Sequence, residues 1–443
     1  MLAKFRSYLN QPVDHVALIV FRLFFGGLLF IESWGAIATG WVGRNLVEPN
    51  FTFNFIGFDF LQILIGPQAY AYFILMGIVS LAVCVGYRYR MSSILLAVMW
   101  SGFYLVQKEN YNNHYYLIML IAWMMAFLPA HTAASWDVKA RRVRAQSLMP
   151  RWILVLFWLQ IGIVYFYATV AKLYPDWFNG KFISIMLEFA KVPEPIYSFL
   201  QKPALHLFLA YGGFLFDLFI IPLLAFKRTR MLALIAALVF HLFNSITLQI
   251  GIFPFFALSF VVFFFPAEQM RRLFLKKNPV ISGPMLYRTP ALLRIGLILF
   301  LIYQLVIPLR HWAIPGDVFW TEEGHRLAWR MMLRQRSGTI HFKVINKATT
   351  EELYWSTSDL SRKQLGFIAT RPDGAWQYAQ HIRRSFAQKD LDVAVYATNS
   401  VSVNRQPYAL LIDPETDLAA ADWNYWGHAD WLLINNGPNY YSR

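Results

Sequence analysis

The sequence predicts a polytopic α-helical membrane protein of about nine spans with a C-terminal β-rich extracytoplasmic domain, and three observations carry that reading. Hydrophobic residues fill 57% of the 443 positions and aromatic residues 18%, with a mean hydropathy of +0.41, which exceeds the apolar share of ordinary soluble domains. The apolar residues gather into runs close to the length needed to cross a bilayer, separated by short basic clusters. After about Arg310 the pattern changes to alternating polar and apolar residues, the period of a β-strand.

Taken in order, the apolar runs are Val16 to Ala38, Gln68 to Gly86, Ser92 to Val106, Tyr116 to Pro129, Trp152 to Ala171, Ala204 to Ala225, Met231 to Gln249, Gly251 to Phe265 and Leu292 to Ile307. Lys4 and Arg6 precede the first, but that run is long enough to span and lacks a clear small-residue cleavage site, so it is expected to remain as a helix. Lys4 and Arg6, Arg88 and Arg90, Lys139 to Arg151, Lys227 to Arg230, and Arg271 to Lys277 all fall on one side of the resulting topology. Basic loops mark the cytoplasmic side, which puts the N-terminus inside. The loops Gly40 to Gly66, Gln107 to His114 and Lys172 to Pro203 then lie outside with the C-terminal region. The expected division is a helical membrane domain over 1–310 and an extracytoplasmic domain over 311–443. In the latter, Thr339 to Ile345 and Leu391 to Ala397 read as strands, and Trp376 to Gln388 as a helix packed on their sheet.

Composition also excludes functions. The net charge of +15 sits in short clusters between apolar runs, a pattern of membrane loops rather than of a nucleic-acid surface. Cys84 is the only cysteine, so neither an intrachain disulfide nor dithiol chemistry is available. No paired histidines at helical spacing and no HExxH motif occur, and no metal is expected. The single sequon at Asn50 is a weak signal.

Polar groups within or at the edges of the runs are the candidates for chemistry, because ionisable groups at membrane depth are costly to keep. They are Arg22, Glu32, His114, Gln160, Lys172, Asp217, His241, Asn244 and Gln249. By loop parity Glu32, His114, Lys172 and the stretch His241 to Gln249 converge on the outer side. Lys172, at the end of the run in IGIVYFYATVAKLYPDW, has two readings: a lysine snorkelling to water, or a desolvated amine acting as a general base. His114 lies in Tyr111 to Tyr115, where Asn112 or Asn113 can cap a helix or align the imidazole toward a polar ligand. His241 and Asn244 share a helix face with Gln249 one to two turns on, and bridge neighbouring spans or line a cavity for a quinol-like oxygen. Asp217 and Arg22 read as structural, each as half of an intramembrane ion pair.

These residues resemble a family. KENYNNHYYL at Lys108 to Leu117, IVYFYATVAKLYPDW at Ile163 to Trp177, GGFLFDL at Gly212 to Leu218 and FHLFNSITLQIGIFPF at Phe240 to Phe255 look like the membrane part of the vitamin K-dependent gamma-carboxylases. So does the start, with Pro12, Val13 and Asp14 followed by Phe21 and Arg22. LAWRMMLRQRSG at Leu327 to Gly338 and IDPETDLAAADW at Ile412 to Trp423 look like that family's lumenal domain. The resemblance implies oxygenation of reduced vitamin K or menaquinol to its epoxide with O2, and use of the base so formed to carboxylate glutamate side chains with CO2. It implies Lys172 as the base that ionises the hydroquinone and His114 as an assisting active-site residue. The expected quinol-binding set is His241, Asn244, Gln249, Asn113, Tyr165 and Gln160. The implied partners are a lipid quinol, membrane lipids and a glutamate-containing peptide or protein, with no nucleic acid.

Elementary chemistry agrees. The γ-C–H of glutamate is too weak an acid for a side-chain base, so an oxygenated cofactor must provide the driving force in a dry site. A lysine needs only to ionise a phenol of pKa near 10. Departures from the family pattern are also visible. Ala171 and Lys172 stand where the family has two lysines, Arg330 stands where an acidic residue is frequent, and Cys84 has no partner for the animal enzymes' disulfide. Together with the shorter chain these resemble a bacterial homologue, whose outer side is the periplasm. Two other outcomes stay open on sequence: a quinol epoxidase without carboxylation, and a membrane scaffold or lipid-binding protein without chemistry.

Overall fold

The computed structural model describes residues 2–438 apart from 277–279, 282, 283, 286 and 288, so Lys277 of the basic clusters lies outside the described residues. Each apolar run forms a helix: α1 (Val16–Ala38), α2 (Gln68–Val85), α3 (Tyr89–Val106), α4 (Asn113–Phe127), α5 (Trp152–Ala171), α6 (Pro203–Ala225), α7 (Arg230–Leu248), α8 (Phe253–Ser259, extended by a 3₁₀ turn to Phe263) and α9 (Ala291–Val306). Among the described residues seven are long and apolar enough to cross a membrane, while α4 and the Phe253–Phe263 segment are shorter. The count of nine apolar helices thus contains seven full-length spans.

Local chemistry sets several helix ends. Asn112 caps α4, its Oδ1 accepting the Tyr115 N–H at 2.7 Å. Pro203 occupies the first turn of α6, where its missing N–H costs nothing. The α1–α2 contact depends on Gly26, where an added Cβ would lie 2.5 Å from the Cys84 backbone nitrogen. Arg22 departs from the ion pair expected of it. Its guanidinium donates to the carbonyl oxygens of Ala130 (2.6 Å), Ala133 (3.2 Å), Ala134 (2.5 Å) and Cys84 (3.1 Å). The carbonyls freed where α4 ends and the chain turns satisfy its fork of donors without a carboxylate.

The two faces of the bundle are distinct. On one, β1 (Pro12–Asp14) pairs antiparallel with β2 (Leu148–Pro150), and Arg271 clamps Asp14 at 2.6 and 2.9 Å. On the other sits the C-terminal domain, whose sheet has β3 (Arg336–Asn346) between β4 (Glu352–Leu353) and β5 (Val393–Val403), all antiparallel. The predicted strand Thr339 to Ile345 falls inside β3, and Leu391 to Ala397 starts two residues before β5 and overlaps its first half. Two helices cover the sheet rather than one: α10 (Arg362–Thr370), opened by a Ser361/Gln364 capping box, and α11 (Pro372–Ala387). The domain rests on the loops assigned to its side by charge. Gln364 donates to Phe51 O (2.9 Å), Gln377 to Asn54 O (3.1 Å) and Asn404 to Asp176 (3.1 Å), and Arg405 pairs with Glu188. Trp329 reaches further and is fully buried in the core of the helical bundle, 4.9 Å from the Tyr116 ring.

Candidate active site

A cavity of about 1420 Å³ opens between α4, α5, α6, α7, α8 and the C-terminal domain. Its membrane half is lined by apolar side chains, while Lys172, Asp217, His114, Asn113, Tyr165, His241 and Asn244 line the rest together with charged groups of the soluble domain.

Lys172 caps α5, and the chain beyond it is fixed by a short helix starting at Pro175 and by Trp177, whose Nε1–H donates to Ala210 O at 2.8 Å. Tyr174 donates to Leu333 O of the soluble domain. The amine does not snorkel. Lys172 is only 6% exposed, and its Nζ turns back to donate to Ala168 O (3.1 Å) and Asp217 Oδ2 (2.5 Å), 5.1 Å from the Trp177 ring. Asp217, on α6, is the ion-pair partner that its own burial requires.

His114 is the second residue of α4, its ring stacked on Phe253 at 5.0 Å. Asn113 accepts from Tyr111 OH (3.0 Å) and donates to Arg330 O (3.0 Å), so it anchors the soluble domain instead of orienting the imidazole. Tyr165 OH lies 3.2 Å from His241 Nε2, while His241 Nδ1 is buried with no partner among the described residues. Asn244 shares this wall.

Three candidates stand elsewhere. Gln249 does not share the face of His241. It terminates α7 in the left-handed region (φ +50°), which turns it off the helix, and its side chain is exposed away from the cavity. Gln160 is fully buried within the bundle and does not line the cavity, its amide oxygen and nitrogen unpartnered among the described residues. Glu32 accepts from Tyr115 OH at 2.7 Å, beside rather than within the cavity.

Residues 10–268, more than half of the chain, match the HTTM domain, and residues 289–437 match the lumenal domain of vitamin K-dependent gamma-carboxylase. The chain belongs to the vitamin K-dependent gamma-carboxylase family. No solved structure matches it.

The gamma-carboxylase lumenal domain contributes a charged roof to the cavity that residue-by-residue reading did not single out. Asp373 pairs with Lys108 (2.6 Å) and Arg326 (2.7 Å), and Glu322 pairs with Arg334, Arg336 (3.3 Å) and Arg371 (3.3 Å). Burial alone would raise the Asp373 carboxyl, but Arg326 and Lys108 hold it well below the usual carboxylate range. Burial would likewise raise Glu322, which Arg334 and Arg371 hold far down. Burial lowers the Lys108 ammonium to about 8 despite Asp373, and raises the Glu109 carboxyl to about 7. Glu322, Leu327, Trp329 and Met332 all have positive φ (62°, 64°, 56° and 49°) in the segment that spans the cavity. Such conformations cost about 1–3 kcal/mol each and persist where packing enforces them, commonly at functional sites. The available signal was the density of arginines from Arg326 to Arg336.

Proposed function

We propose that this gamma-carboxylase family member oxygenates reduced vitamin K or menaquinol to the epoxide and uses the resulting base to carboxylate glutamate side chains with CO2. The observation that carries this reading is a single cavity joining a lipid-facing apolar opening to the Lys172–Asp217 pair and His114. Phe208 and Val239, 70% and 65% exposed on the bundle perimeter, also line the cavity, so a lipid ligand can enter sideways between α6 and α7. The volume and the His241 Nδ1, which has no partner among the described residues, suit a quinol ring with a trailing apolar chain.

When bound with O2, the quinol supplies a base far stronger than any side chain. The chain's own residues prepare and protect that chemistry. Lys172 and Asp217 accept the hydroxyl proton of the quinol as a unit, ending as an ammonium and a neutral carboxyl. His114, held flat by Phe253, faces the polar end and hydrogen-bonds a ligand oxygen. Tyr165 fixes the His241 ring so that Nδ1 faces the ligand. Arg326, Arg330, Arg334 and Arg371 on the cavity roof provide counter-charge for a glutamate carboxylate. The apolar walls keep water from the base.

The test incubates purified protein with reduced vitamin K, labelled bicarbonate and a glutamate-rich peptide, and compares wild type with Lys172→Ala. Epoxide and fixed label in wild type, both lost in Lys172→Ala, are the expected result. Epoxide without label identifies a quinol epoxidase, and neither product identifies a scaffold. Full epoxidation by Lys172→Ala removes Lys172 from its assigned role.

A further inference from the structure

The loop between α1 and α2 contains a short 3₁₀ helix, Asp59–Leu64, with no buried side chain. Its depth is fixed by contacts with two spans. A Cβ built on Gly102 of α3 would meet Tyr72 OH of α2 at 2.9 Å and Leu64 Cδ1 of this short helix at 3.5 Å. Gly102 and Tyr72 each lie one turn inside the end of their span, about 6 Å along the axis at 1.5 Å per residue. Leu64, at the end of the short helix, therefore lies against the bundle at the level of the last span turns.

The short helix and the residue before it present Phe58, Phe60 and Ile63, the last two 70% and 75% exposed. Beside it the soluble domain presents a second apolar group. Tyr425 OH donates to Ile56 O at 2.7 Å, and Asn424 Oδ1 accepts from the N–H groups of Trp426 (3.0 Å) and Gly427 (2.9 Å), forming a turn that displays Trp426 at 71% exposure. At the start of the short helix an exposed ion pair joins the two domains, Arg384 to Asp59 at 3.7 Å. Isolated exposed apolar residues need no explanation, but exposed Phe, Ile, Tyr and Trp side chains gathered on two segments joined at Tyr425 and Ile56 do. Tryptophan and tyrosine prefer the membrane–water boundary, and short apolar helices lie in it.

We propose that Phe58, Phe60 and Ile63 with Tyr425 and Trp426 form one ledge seated in the interfacial region of the phospholipid leaflet on the soluble domain's side. The occupant is the bilayer itself, because the short helix meets α2 and α3 through Leu64, and the outer faces of these spans carry exposed apolar residues such as Ile74 and Val98. The ledge grips the leaflet from both domains at once and so fixes the height of the soluble domain over the cavity. This inference is independent of the chemistry proposed above.

The single cysteine makes the test direct. In a Cys84→Ser background, Ile63→Cys, Trp426→Cys and the control Tyr354→Cys, whose native residue is 87% exposed beyond β4, are each labelled with bimane in phosphatidylcholine nanodiscs. Lipids spin-labelled near the headgroup are expected to quench the labels at 63 and 426 at least roughly twofold more than the label at 354, with aqueous iodide ranking them in reverse. A label at 426 that behaves like the one at 354 overturns the ledge, as does a lipid response at 63 without one at 426. Shielding from both quenchers, with oxidative cross-linking of Trp426→Cys between chains, assigns the patch to a second copy and equally overturns it.

Discussion

Lys172 turns its amine away from water and toward Asp217, and this one contact changes what its position means. A helix-end lysine in a membrane protein ordinarily extends its stem to the surface. Here the 2.5 Å ion pair holds it on the cavity wall. Removing one partner leaves a buried charge, at a cost of about 3–5 kcal/mol, whereas replacing both with apolar residues is frequently neutral. Asp217→Asn is therefore expected to lower the thermal midpoint sharply, and Lys172→Met combined with Asp217→Leu to restore it while oxygenase activity stays at background. Activity returning with stability in the double variant would make the pair structural only. Glu109 gives a pH-dependent case outside the spans. Its carboxyl rises from 4.5 to about 7 by burial, so its contribution to folding is fully present below the unfolded value and is lost as pH rises through about 7. Wild type is expected to lose about 2 kcal/mol more stability than Glu109→Gln between pH 5 and 7.5, checked by unfolding both proteins across that range. The sequence located the end of α5 and marked Asp217 as half of an ion pair, but not that its partner is Lys172, 45 residues away. It also overreached at Gln160. α5 is apolar on all sides, and a helix without a polar face carries no signal for which side meets a cavity.

The helices themselves were legible because burial in lipid demands long apolar runs, and all nine runs became helices within a few residues of their predicted ends. How they pack was less legible. At Gly26 the backbone of α2 comes so close that a Cβ would lie 2.5 Å from Cys84 N, and backbone cannot yield as a side chain can. Gly26→Leu should therefore destabilise the α1–α2 pair by about 1–3 kcal/mol or more, seen as a lowered thermal midpoint in detergent. Gly27→Ala, whose Cβ would meet only Cys84 Sγ at 4.0 Å, should be tolerated. In the soluble domain the alternating strands announced β3 and β5, and the amphipathic stretch from Trp376 announced α11. The nine-residue α10 escaped because its apolar positions are few and its start depends on a capping box rather than on periodicity.

Across the whole molecule the two domains meet over a buried charge network, and that junction decides whether the cavity has a roof. Charge parity of the loops anticipated which side carries the soluble domain. It gave no hint that Trp329 would enter the bundle or that Lys108, the first residue of KENYNNHYYL, would meet Asp373, because such contacts depend on how two folded surfaces fit. Asp373, 3% exposed, is the carboxylate that pairs with both Lys108 and Arg326. Asp373→Asn leaves two buried cations facing each other, at a cost of about 3–5 kcal/mol concentrated at the junction. Hydrogen exchange should therefore quicken in α11 and in the loop at Lys108–Asn110 while the β1–β2 end of the bundle, held by Asp14 and Arg271, keeps its protection. Raising the pH from 5 to 8 should partly reverse the effect in the variant, because Lys108, lowered to about 8 by burial even with Asp373 raising it, falls further once Asp373 is neutral and sheds its proton, leaving one buried cation fewer beside Arg326. Equal loss of protection at both ends would mean that the network supports the fold as a whole and not the docking of one domain on the other.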